Sequence, residues 1–127
     1  MVNEKVKLHL DKSASRYKCA SLAYEHNFYD ESVSLAYYAV FHAISAVLAI
    51  KDIEFKTHKS LLSFFNQHYV NTGEIGSISS RALIMLFEGR NNCEYDPSIL
   101  EGKEGAEAAL KYADIAMKDV LDYIKNQ

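Results

Sequence analysis

The run Val33–Ile50, "VSLAYYAVFHAISAVLAI", limits what this chain can become more than any other stretch. A helix drawn through it is apolar on nearly every side, and its 18 residues reach the length of a membrane span. Ser34, His42 and Ser45 interrupt it, and five alanines and two tyrosines dilute its hydrophobicity. It therefore reads as a helix buried inside a bundle or an oligomer. Its apolar circumference exceeds what one bundle core is expected to cover, which predicts self-association through this helix.

The rest of the chain supplies partners of the same kind. With one proline, five glycines and no long alternating run, helical spacing dominates. Val6, Leu10, Ala14, Tyr17, Ser21, Tyr24 and Phe28 recur every three or four residues. "HNFYD" breaks that pattern, and Asp30 is placed as the cap of a second helix running to about Lys51. Thr57 reads as the cap of a shorter third helix through "HKSLLSFFNQHYV", and Ser77 as the cap of a fourth carrying "RALIMLFEGRNN". Pro97 and Gly102 bound a loop before a last helix from about Lys103 to Ile124. Its apolar face comprises Ala106, Ala109, Leu110, Ala113, Ala116, Val120 and Ile124. The expectation is a single all-α domain over residues 1–127: an up-and-down antiparallel bundle of four main helices plus one short helix.

Charge and motifs narrow the chemistry. Fourteen basic against 17 acidic residues give a net charge of −3, which argues against coating nucleic acid by bulk charge. Two distant cysteines, Cys19 and Cys93, and no secretory signal suggest a reduced cytoplasmic protein whose thiols are structural. CxxC, HExxH, GxxxxGK[ST] and GxGxxG are absent, and none of the five histidines follows a glutamate by three residues. Neither a metal nor a cofactor is expected.

Three polar features stand out. Tyr38 and His42 lie one turn apart in "YYAVFH", as a satisfied core pair or as groups lining a cleft. Lys56, His58 and Lys59 cluster at the start of helix three, where cations do not help the helix dipole and an anion site is the functional alternative. Helix four ends in "GRNNCEYD", which holds Arg90, Asn91, Tyr95 and Asp96. Salt bridges at a helix end would explain its charges, but not why they follow "LIMLF" directly.

"SLAYYAVFHAISAVLAIKDIEFKTHKSLLSFFNQHYVNTGEI" followed by "GRNNCEYD" resembles the HEPN family (higher eukaryotes and prokaryotes nucleotide-binding domain), in its small stand-alone prokaryotic members. The resemblance implies a helical bundle that usually dimerises around a cleft. Many members are metal-independent ribonucleases that use an arginine followed four to six residues later by a histidine. Arg90 and Asn91 match the start of that motif, but Glu94, Tyr95 and Asp96 stand where the histidine would be. That removes the side chain best suited to acid–base work near neutrality, and tyrosine is a poor replacement. Many members also pair with a minimal nucleotidyltransferase as a toxin–antitoxin module, and in some the transferase adenylylates a tyrosine near the motif. Tyr95 is the matching position, at a different spacing.

The resemblance thus implies a nucleotide- or RNA-binding dimer with a nucleotidyltransferase partner. Arg90, Asn91, Lys56, His58 and Lys59 would hold phosphate, Arg90 and Tyr95 would carry the chemistry, and Tyr38, His42 and Asp96 would line the cleft. The alternatives are an endoribonuclease in which His42 or His58 serves Arg90, and a non-catalytic helical adaptor.

Overall fold

The computed structural model describes residues 3–92 and 101–127, with the backbone alone for 89–92. Its elements are α1 (Glu4–Glu25), α2 (Tyr29–Ala49), α3 (His58–Phe65) continuing as a π-helical turn (Asn66–Val70), α4 (Ile78–Asn92) and α5 (Gly102–Lys125). Four long helices and one short one form an all-α bundle, with no strand among the described residues.

Local chemistry sets most boundaries. The Asn3 side chain accepts from the Val6 N–H at 2.9 Å and caps α1, while its amide donates to the Ala49 carbonyl at 2.9 Å. One residue thus starts α1 and ties it to the end of α2. Asn27, at φ 67°, turns the chain between them in a left-handed conformation that asparagine tolerates. Asp30 is not the cap of α2. The helix starts at Tyr29, with Phe28 in the cap position and no side-chain cap bond, so Asp30 and Glu31 act as first-turn charges toward the helix dipole. Thr57 caps α3 as expected, accepting from the Ser60 N–H at 3.2 Å. The third helix keeps its predicted extent, but its last turn widens, with the Asn71 N–H reaching the Asn66 carbonyl at 2.8 Å.

The core forms around α2, which packs against α1, α4 and α5. Ser13 Oγ donates to the Ala39 carbonyl at 2.7 Å and Ser32 Oγ to the Ala20 carbonyl at 2.8 Å. With the Asn3 bond, these fix the antiparallel register of α1 and α2 while satisfying two buried hydroxyls. On α5 the predicted face is buried except Leu110, which is half-buried.

Helices of the same chain bury most of α2, while Leu35, Tyr38, Phe41 and His42 stay half-buried or exposed along its outer side. Thirteen of its 21 residues are buried, and 72% of its most apolar window lies inside the bundle, so a helix long and apolar enough to cross a membrane serves here as core. Exposed large apolar groups remain at Leu8 and Leu22 of α1, at Phe28, at Tyr38 of α2 and on α4 and α5. Ile78 and Met85 of α4 and Tyr112 and Ile115 of α5 border a groove of about 270 Å³. Cys19 is exposed and free, so it has no structural burial.

Candidate functional site

Three helices converge on the start of α3. Capping by Thr57 makes His58 the first residue of that helix, and its ring stacks on Phe87 of α4 with centroids 3.9 Å apart. Tyr37 of α2, 3% exposed, brings its hydroxyl within 3.2 Å of His58 Nδ1, and its ring lies 5.7 Å from Phe87. Tyr38 meets Tyr37 edge-on at 5.0 Å and remains 39% exposed. The backbone of α4 continues to Asn92, so positions 90 and 91 follow Phe87 by about one turn on the same face. The structure thus brings His58 against the helix that carries Arg90. Lys56 and Lys59 flank His58 and are exposed. Tyr95, Asp96 and Cys93 lie outside the described residues, and of Arg90 and Asn91 only the backbone is described.

A second cluster lies between α1, α2 and the connector to α3. His9 Nδ1 and His42 Nδ1 are 3.1 Å apart, and His9 Nε2 is 3.1 Å from Glu54 Oε1. Hydrogen-bond accounting fixes the neutral arrangement. Glu54 is an acceptor, so His9 Nε2–H donates to it, and His9 Nδ1 must then accept from His42 Nδ1–H. His42 Nε2 is left as a lone pair. It is bonded to none of the described residues, and the ring as a whole is only partly buried. Burial, then the neighbouring His9, Lys12 and Arg16, lower the His42 pKa to about 4.

The two clusters are ends of one series of rings. Phe41 touches Tyr37 at 6.0 Å and His42 at 5.9 Å, which links His58 and Phe87 to His9 across the outer face of α2. Tyr38 and His42, one turn apart, therefore belong to one surface, but His42 is engaged with His9 and not with His58. Among the described residues, no three His, Cys, Asp or Glu side chains are grouped as a metal site.

Tyr37, Phe87, His9 and Glu54 were not singled out from the sequence. The doubled tyrosine in "YYAVFH" was a usable signal for Tyr37. For Phe87 the only hint was its place one turn before Arg90. Nothing local connects His9 to His42, 33 residues on, or to Glu54, 45 residues on.

Comparison with known proteins agrees with this architecture. Two proteins of Methanocaldococcus jannaschii, each named "Putative toxin", are similar along most of their length. One is 27% identical over 115 residues, covering 91% of this chain and 78% of that protein. The other is 25% identical over 127 residues, covering 94% of each. A UPF0332 protein of Pyrococcus horikoshii is 33% identical over 82 residues, 65% of this chain and 58% of its own. The HEPN domain model matches residues 6–123, which include every helix that builds the two clusters, and the chain belongs to the HEPN domain family.

Proposed function

We propose that this protein is the HEPN half of a toxin–antitoxin-type module. It is an RNA- or nucleotide-binding homodimer of the cytoplasm that works with a minimal nucleotidyltransferase. The observation that carries this reading is the contact of His58 with Tyr37 and Phe87, which sets an imidazole beside the helix bearing Arg90. A guanidinium suits phosphate oxygens, and Asn91, Lys56 and Lys59 add donors around it. Kinship with proteins named as toxins supports the module, and the exposed, free Cys19 suits a reducing compartment.

Arg90→Ala is expected to weaken binding of a short oligoribonucleotide about 10- to 100-fold, the loss of one charge-assisted contact, with helical circular dichroism unchanged. Unchanged affinity would remove Arg90 from the site. The same contact favours His58 over His42 as the replacement histidine in the second reading, an endoribonuclease. RNA left intact by the wild type supports a binding role, whereas cleavage abolished by His58→Ala establishes the second.

The dimer and the tyrosine are read together by native mass spectrometry. The α4–α5 groove, lined by Ile78, Met85, Tyr112 and Ile115, is one proposed dimer surface, and the exposed side of α2 at Tyr38 is the other. Two chains per particle are expected. After incubation with the partner transferase and ATP, each chain should gain one adenylyl group on Tyr95. A monomer at micromolar concentration rejects the dimer, and a gain that persists in Tyr95→Phe rejects that residue.

A further inference from the structure

On α1, Lys5, His9, Lys12 and Arg16 recur at spacings of four, three and four, which places them along one flank of the helix. The register set by Ser13 and Ser32 turns that flank toward His42 and Tyr38 of α2. Lys5 is paired with Asp52 at 2.8 Å and His9 with Glu54. Lys12 and Arg16 pair with no carboxylate among the described residues, although both are near enough to act on His42. Two cations without a carboxylate partner among the described residues thus share the α1 flank whose His9 meets the partly buried His42 ring, one turn from the partly exposed Tyr38. Cations that track a backbone, beside rings on which bases stack, are the chemistry that recognises a single strand.

We propose that this α1–α2 edge holds a backbone phosphate of single-stranded RNA, gripped by Lys12 and Arg16 and contacted by His42, which Glu54 orients through His9. The inference rests on the RNA-binding reading and deepens it, because the strand would run along the outer face of α2 from the start of α3. A mononucleotide would leave the edge empty. The contact also moves a proton. In the neutral arrangement His42 Nε2 carries no hydrogen, and a phosphate oxygen offers none, so a hydrogen bond between them needs one proton from solvent. When that proton arrives at Nε2, the Nδ1 proton of His42 passes to His9 Nδ1. The positive charge then rests on His9, where Glu54 is its counter-ion, and His42 stays neutral with an N–H toward the phosphate. The groups that set this balance are His9, Lys12 and Arg16 on α1, Glu54 on the connector and Tyr38 on α2 itself. RNA binding is therefore coupled to uptake of one proton.

The test is fluorescence anisotropy with a labelled, unstructured oligoribonucleotide, at several salt concentrations and from pH 8 to pH 5.5. Wild-type affinity should rise as the pH falls, by at most tenfold per unit. Lys12→Gln with Arg16→Gln should weaken binding about tenfold at low salt and flatten the slope of log affinity against log salt by about 0.7, the value for one phosphate of a single strand. His42→Gln and Glu54→Gln should each remove the proton coupling while leaving most of the salt slope. Circular dichroism confirms that each variant is folded, and Arg16→Lys serves as the charge-preserving control, keeping the slope. Wild-type binding matched by the Lys12/Arg16 double variant in affinity and slope would overturn the edge site and leave the RNA reading standing. So would a pH dependence that survives in His42→Gln. A wild type that binds no oligoribonucleotide at low salt overturns both.

Discussion

Phe65→Ala is expected to cost the fold about 3–5 kcal/mol, the usual loss when a fully buried phenyl ring is removed from a packed core. Phe65 is 0% exposed and stacks on Tyr69 at 5.7 Å, so it holds both the last turn of α3 and the π-helical turn against the bundle. Helix α3 has only two buried residues, Leu61 and Phe65. An eight-residue helix has little stability of its own and depends on that docking. Loosening its far end should therefore loosen its start, where His58 meets Phe87 and Tyr37. Chemical denaturation should show the lost stability, with a melting temperature lowered by roughly 10–20 °C. RNA affinity, measured where the variant is still folded, should fall with it. A loss below about 1 kcal/mol would mean that α3 is not held through this ring.

His42→Gln is expected to remove a distinct part of the acid sensitivity of the fold. The imidazole titrates at about 4 when folded, against 6.5 ordinarily, because burial and the neighbouring His9, Lys12 and Arg16 disfavour its charge. As pH falls through 6.5 the unfolded chain takes up this proton first, so stability is complete above that value and declines toward pH 4. The full shift would correspond to about 3 kcal/mol. Solvent reaches the half-buried ring and screens it, so about 1–2 kcal/mol is expected. Urea midpoints between pH 7 and pH 4.5 should slope less in His42→Gln than in the wild type. Parallel profiles would show that the histidine contributes no such dependence. The paired histidines explain why this position is not simply a core residue: the polar group that interrupts the apolar face of α2 has its partner on α1.

Helix positions were legible in the sequence because helical periodicity is a local property. The apolar face of α5, the capping threonine at position 57 and the extent of the third helix all follow from residues within a turn or two of one another. The cap of α2 was misplaced because an acidic residue near a helix start serves equally well in the first turn, and only the backbone at Phe28 separates the two cases. The membership of the site was half legible. His58, Lys56 and Lys59 are neighbours in sequence and announce themselves as a cluster, whereas Phe87 reaches His58 only because α3 and α4 meet.

The sequence by itself determined that this chain is a helical bundle with an unusually apolar second helix and a polar end to its fourth. Only the tertiary structure decided what surrounds that second helix. Three helices of the same chain pack against it and bury thirteen of its residues, and exposed apolar side chains remain on α1, α4 and α5 as well as at Tyr38. The structure alone also joined Glu54, His9 and His42. Their contacts depend on the register of two helices, which the side chains of Asn3, Ser13 and Ser32 set by bonding to carbonyls of the opposite helix. Register between helices is a long-range quantity that no window along the chain contains, and the contacts of Glu54, His9 and His42 are placed by it.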